Sequence, residues 1–341
     1  MTMRDEATNR KLATWLLICC ALVFAMVVLG GVTRLTGSGL SMADWRPVSG
    51  VLPPMSDEAW ERMFEMYRET PEFQKVNSTM DVHDFKGIFW LEYLHRLLGR
   101  TIGVVFLIPF LVFAWRGAIR SDEWLKYGTM FVLGGLQGLL GWYMVKSGLV
   151  DNPHVSQYRL TAHLFAAFLI YAYMFWVAMS LLFPAVGNAR HPWYGKTLAL
   201  TLLTSITIIS GGFVAGLKAG KIYNTFPMMG DAWLPPGGMA LRPWWRNFFD
   251  NITVVQFDHR VLAVTTLVII VAYWFKARQA ELPARSRPAV NALLHTAVLQ
   301  VALGITTLLL AVPVVLGVLH QAVAMLLFTV TLYILHSLRR V

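Results

Sequence analysis

Eight runs of apolar residues, each long enough to cross a bilayer, leave this chain few ways to fold. They cover roughly residues 12–33, 86–114, 127–147, 158–183, 197–217, 254–275, 292–312 and 316–336. A run of about 18 or more apolar residues reads as a membrane-crossing helix, because in lipid each backbone N–H and C=O must find its partner within the segment. With 56% apolar and only 14% charged residues, the 341-residue chain does not fit a water-soluble domain. The expected fold is therefore an all-α integral membrane protein with eight transmembrane helices.

The net charge of +10 invites a nucleic-acid reading, and its distribution argues against one. Lys and Arg gather in the short even-numbered turns: Arg116, Arg120 and Lys126; Arg190 and Lys196; Lys276, Arg278, Arg285 and Arg287. Arg4, Arg10 and Lys11 at one terminus and Arg339 and Arg340 at the other fall on the same side. Short basic loops stay cytoplasmic, so both termini are expected there, with the long connections 34–85 and 218–253 facing outward. The first run lacks a small-residue cleavage site and reads as an anchor rather than a signal peptide. Nothing long and rich in Arg and Ser precedes it, so the expected setting is the bacterial inner membrane. Cys19 and Cys20, adjacent on one helix, read as buried apolar filler.

The chain is also a repeat. GGVTRLTGSGLSMADWRPVSGVLPP from Gly30 has a counterpart in GGFVAGLKAGKIYNTFPMMGDAWLPP from Gly211. LQGLLG at Leu136 matches LQVALG at Leu299 with an offset of 163, and His95 matches His259 with an offset of 164. Four helices per copy is an even number, so the copies share one orientation. This predicts two tandem four-helix bundles related by a pseudo-two-fold axis along the membrane normal. The N-terminal half is 1–183, the C-terminal half 197–341, and 184–196 is a cytoplasmic linker. Helix contact surfaces do not stand out from lipid-facing ones, so a homo-oligomer stays open.

Four histidines, His95, His163, His259 and His320, fall near the outer ends of even-numbered helices, a pair in each half. An ionisable side chain inside the membrane is costly and usually has a partner or a metal. Imidazole suits iron, and sites in helix bundles are built from facing helices. Two neutral imidazoles can take both axial positions of a heme iron. Isolated zinc fits less well, since no carboxylate or thiolate completes a tetrahedron in the second half. Arg96, Arg100, Arg159 and Arg260 are placed to meet heme propionates. No CxxCH attachment motif is present, so any heme would be held non-covalently. Against this stands the plain alternative of histidines bonded to neighbouring helices, which repetition at four matched positions makes less economical. His83, His154 and His191 fall in loops and read as solvated. His295 and His336 lack repeat counterparts and are left outside the site.

The two copies differ where the chemistry would be. Glu92 stands three residues before His95, whereas Gln256 stands three before His259; both histidines are followed by an arginine, Arg96 and Arg260. Positions i and i+3 share a helix face, so Glu92 is expected against whatever His95 binds. A structural role, pairing with Arg96, Arg100 or Lys86, is the competing account. TRLTGSGL at Thr33 and NTFPMMG at Asn224 have the composition of ordered turns, which cover the mouths of the sites or only join helices. Asn77-Ser78-Thr79 and Asn251-Ile252-Thr253 fit a glycosylation pattern that has no use in a bacterial chain.

On these residues the chain resembles the heme A synthase family almost end to end. The resemblance is carried by GGVTRLTGSGLSMADWRP, IFWLEYLHRLLGR, YRLTAHL, VAGLKAGKIYNTFPMMG, QFDHR and LHQ, in that order and spacing. FKGIFWLEYLHR after a long first outer loop is similar to the alphaproteobacterial and mitochondrial branch. A loop cysteine pair found in another branch is missing. The resemblance implies an oxidoreductase that turns a methyl group of heme O into the formyl group of heme A, for a terminal cytochrome oxidase, by successive hydroxylations and loss of water. It implies a b-type heme on His259 and His320 in the second half, and heme O near His95 and His163 in the first, with Glu92 beside the reacting methyl. Both sites would lie toward the outer side. An external electron donor of ferredoxin type is implied, and pathway logic adds a heme O synthase as a partner. Whether a histidine leaves heme O so that dioxygen can bind, or electrons are removed before water attacks, stays open. A diheme b-type electron-transfer cytochrome explains the histidines and the repeat but not Glu92. A transporter would break its helices near mid-membrane, whereas the glycine pairs here lie near helix ends.

Overall fold

The structure, a computed structural model, describes residues 5–43, 49–149, 153–187, 189–235 and 237–339. Arg4 and Arg340 of the terminal basic clusters, residues 44–48 of the first glycine-led motif, Asn188 of the linker and Pro236 of the second motif lie outside the described residues. The helices are α1 (Glu6–Leu35), α2 (Asp57–Arg68), α3 (Pro71–Lys75), α4 (Val82–Trp115), α5 (Trp124–Lys146), α6 (Gln157–Leu182), α7 (Tyr194–Gly216), α8 (Asn247–Asp250), α9 (Ile252–Ala277), α10 (Ser286–Leu309) and α11 (Val314–Ser337). Among the described residues, eight of them (α1, α4, α5, α6, α7, α9, α10 and α11) are long and apolar enough to cross a membrane, and no strand forms. The fold is an all-α membrane fold, as the apolar runs require.

Helices start earlier than the apolar runs because capped polar turns precede the lipid-facing part. Asp81 caps α4 by accepting from the Asp84 N–H, and Asn251 caps α9 by accepting from Thr253 and Val254. Each side chain satisfies amide groups that the first turn leaves without partners. Glycine-rich segments end α1 and α7 alike. Gly37 (φ +70°) and its repeat counterpart Lys218 (φ +55°) both take the left-handed turn that stops a helix.

The chain divides into two compact units, Ile18–Ile170 on the one hand and Met1–Leu17 with Tyr171–Val341 on the other. In the second, α7 packs on α9 and α11, and α10 packs on the same two, so the four helices close a ring. Its apolar core, including Leu200, Ile270, Leu293, Leu327 and Ile334, fills the end made by the last turns of α9 and α11. His259 and His320 lie at the opposite end, in the early turns of the same helices.

In the first unit, α4 has 34 residues. At 1.5 Å per residue it is about 51 Å long, well beyond the roughly 30 Å of hydrocarbon it must cross, so its first turns project. Over them sits a small aromatic core of Trp60, Phe64, Tyr67, Phe85, Phe89 and Tyr93, built by α2 and α3 against α4. Ser56 caps α2; Thr70 caps α3, which has Pro71 at its start. The Tyr67 hydroxyl donates to Glu72 and accepts from Asn77. Burial pushes its phenol above the ordinary range. Cys19 and Cys20 are buried and unbonded to each other, as expected of filler.

Candidate functional site

Each of the four predicted histidines lies against a glycine of the preceding membrane helix. A Cβ placed on Gly30 of α1 would stand 3.2 Å from Nε2 of His95 on α4. One on Gly141 of α5 would stand 2.9 Å from Cε1 of His163 on α6. For Gly211 of α7 and His259 on α9 the distance is 3.1 Å, and for Gly304 of α10 and His320 on α11 it is 2.8 Å, both to Cε1. Ordinary side-chain contacts begin near 3.4 Å, so any larger residue would crowd these rings, most at Gly141 and Gly304. Gly30 and Gly211 open the repeated motif, and Gly141 and Gly304 close the LQGLLG and LQVALG segments. The sequence reading used both pairs to align the halves and missed that they seat the histidines.

Within the second half the His259 and His320 rings have centroids 6.4 Å apart and planes at 89°. Two imidazoles bound on opposite sides of one metal, with bonds of about 2 Å each, have ring centres about 6 Å apart. An edge-to-face ring pair spans the same range, so polar satisfaction separates the two accounts. His320 Nδ1 is buried without a hydrogen-bond partner, and so is His163 Nδ1 in the first half. A buried polar nitrogen left bare costs free energy. The donor set of the second half, two imidazoles facing one another near one end of the bundle, fits heme iron. Among the described residues, the one cluster of metal-type groups, the exposed Asp81, His83 and Asp84, includes none of the four.

Glu92 is buried, at 3% exposure. One carboxylate oxygen accepts from Ser41 Oγ at 2.7 Å and the Met42 N–H at 2.9 Å. The other accepts from Arg96 Nη2 at 2.6 Å and Nε at 3.1 Å. Arg96 also donates to the Met42 carbonyl. Of the cations the sequence offered Glu92, Arg96 takes it; Lys86 lies over the Trp60 ring instead. The second half repeats this clasp without the charge. Gln256 donates to the Tyr223 carbonyl and accepts from Arg260, while Arg260 donates to the carbonyls of Tyr223, Thr225 and Met228. In both halves the i and i+4 residues around the histidine hold the loop that follows the glycine pair. Ser41 and Met42, just after TRLTGSGL, and NTFPMMG itself are thus pinned to the histidine-bearing helices, and Asn224 further ties its loop to Gly220 and Leu308.

Arg159 also aims at a protein group: it donates to the Tyr143 carbonyl and lies 3.7 Å from that ring's centroid. Outside the site, His83, His154 and His295 are exposed. His191, read as solvated, is half-buried and bonded to the Glu281 carbonyl and the Trp193 N–H. His336 is 1% exposed, beside Trp176, Ser180 and Arg339.

Known proteins resemble this chain over nearly its whole length. Residues 13–332 match the family described as cytochrome oxidase assembly protein (COX15-CtaA). A heme A synthase from Nitrosospira multiformis is 53% identical over 343 residues, covering 99% of this chain and 96% of the relative. Heme A synthase COX15 from Arabidopsis thaliana is 47% identical, covering 96% of this chain and 74% of its own. The Homo sapiens protein of that name is 43% identical, covering all of this chain and 86% of its own. Matches of this length and identity, over helices that carry the paired histidines, place the chain in the cytochrome oxidase assembly protein family.

Proposed function

We propose that the two halves divide the labour of one reaction, the first acting on the substrate and the second holding a resident heme. The chain is an oxidoreductase that converts heme O to heme A, the activity of the heme A synthases it matches from end to end. The observation that carries the division is the Glu92/Gln256 difference inside an otherwise repeated clasp. His259 and His320 hold a b-type heme, which supplies electron transfer when bound. His95 and His163 would hold heme O, the substrate.

Glu92 brings a fixed negative charge to the first half. Ion-paired to Arg96 and braced by Ser41 and Met42, it is oriented before substrate arrives, which is the condition for electrostatic stabilisation of a cationic transition state. It is also the proton acceptor in reach of the helix face that His95 occupies. Gln256 in the same clasp can hold its loop but can take no proton. The basic turns orient both termini to the cytoplasm and the histidine ends outward, in a bacterial inner membrane. An external reductant of ferredoxin type and a heme O synthase delivering substrate complete the scheme.

Chromatography of hemes extracted from the purified protein, expressed with a heme O synthase, tests the scheme. Heme b together with heme O or heme A is expected. Heme b alone, with heme O available, would make the chain a diheme electron-transfer cytochrome.

A further inference from the structure

The second half fixes one histidine ring more firmly than the first, and the device is a hydroxyl on the neighbouring helix. Ser210 Oγ lies 2.8 Å from His259 Nδ1 and donates its own proton to the Thr207 carbonyl at 2.7 Å. A serine has one proton to give. Toward His259 it can therefore only accept, which places a hydrogen on Nδ1. In a neutral imidazole the lone pair then sits on Nε2.

Ser210 is the last of three such rungs between α7 and α9. Thr197 donates to the Trp193 carbonyl and so accepts from the Tyr273 hydroxyl; Thr207 donates to the Leu203 carbonyl and so accepts from Thr266. Counted back from the glycine pair, Ser210, Thr207 and Thr197 correspond to Leu29, Met26 and Leu16 in the first half. None of these can accept a hydrogen bond of this kind. Among the described residues nothing hydrogen-bonds the His95 ring, which turns its Nε2 and Cδ2 edge onto Gly30 while the other three rings turn Cε1.

We propose that Ser210 is a positioning residue for His259, fixing the ring with its proton on Nδ1 so that Nε2 is the metal-binding nitrogen, and that Leu29 leaves His95 without this brace. The inference rests on the reading that His259 holds the resident heme. A donor bond from the far nitrogen makes an imidazole ligand more basic, which favours ferric iron. A heme that stays bound gains from a locked ligand. A substrate that must be exchanged is served by a ring free to turn.

Ser210→Thr and Ser210→Val differ in little but the hydroxyl, so packing changes are shared between them. The purified proteins are compared for bound heme b, midpoint potential and low-spin ferric EPR signal. The threonine variant should match the unaltered protein. The valine variant should show a raised potential, an altered EPR signal and about tenfold weaker heme retention, the usual effect of losing such a partner. Equal behaviour of the two variants overturns the proposal. His259→Ala is measured alongside: if it keeps the b-type spectrum, the heme reading itself is wrong and the Ser210 proposal falls with it.

Discussion

The α7/α9 and α1/α4 helix pairs repeat the same contact, a glycine on one helix beneath a histidine on the next, along seams of different composition. The α7/α9 seam has Thr197, Thr207 and Ser210 bonded across to Tyr273, Thr266 and His259. In the α1/α4 pair Gly99 packs instead on Met26, and leucines or methionine stand where the hydroxyls would be. Beside the seam the contrast reverses, with a buried carboxylate at Glu92 and a neutral amide at Gln256. The duplication kept what places a ring: the glycine, the histidine and the loop clasp. It changed what fixes the ring and what charge lies near it. On the proposed division of labour, holding and reacting are separable demands, and each half would meet one.

Removing a ligand should break the comparison most sharply. His259→Ala or His320→Ala is expected to abolish the b-type spectrum of the purified protein, while His95→Ala and His163→Ala leave it and abolish heme A formation. An unchanged spectrum in the first two would reverse the assignment of the halves. Glu92→Gln comes next. It keeps an amide of the kind Gln256 uses to clasp its own loop, so the fold and heme b should persist. Heme A formation should fall at least about 100-fold, as for loss of an acid–base group. Retained activity would reduce Glu92 to a loop clasp. Glu92→Ala is a poorer probe, since stranding Arg96 costs about 3–5 kcal/mol by itself.

Glycine substitutions sharpen the contrast at smaller cost. Gly304→Ala and Gly141→Ala each push a methyl onto a histidine ring, for about 1–3 kcal/mol of overpacking. The first should deplete heme b, the second spare heme b and slow turnover. If both lost heme b equally, the halves would not be separate sites. The smallest effect is confined to the first half. Because burial raises the Tyr67 phenol, the stability it contributes is complete below its unfolded value of about pH 10 and is lost as pH rises further. Trp60 fluorescence should report loosening of the aromatic cap in alkali, and Tyr67→Phe should blunt that response.

The eight helices were legible because lipid permits so few structures for an apolar run. Their starts were not, since Glu6–Lys11 and Ser286–Asn291 are polar turns that counting apolar residues passes over. The helices over α4 were missed although Trp60, Phe64 and Tyr67 share one face behind the caps Ser56 and Thr70; long loops were read only for their turns. The histidines and the Glu92/Gln256 difference could be read because a repeat exposes its own exceptions. Gly141 and Gly304 stood in quoted motifs, yet nothing in one dimension says which helix a glycine faces. Leu29 against Ser210 is as visible as Glu92 against Gln256. Its meaning depends on His259, 49 residues away.

The cap over α4 gives one chain two solvents. Its core of Trp60, Phe64, Tyr67 and Phe85 is gathered by water and so weakens in urea and on cooling. Helices in lipid have no such drive and cohere by close packing and interhelical bonds. Urea at moderate concentration should therefore strip the cap while the membrane helices stand, and a harsh detergent should do the reverse. The half that carries Glu92 can thus be perturbed from the water side alone, a handle the other half does not offer through any comparable cap among the described residues.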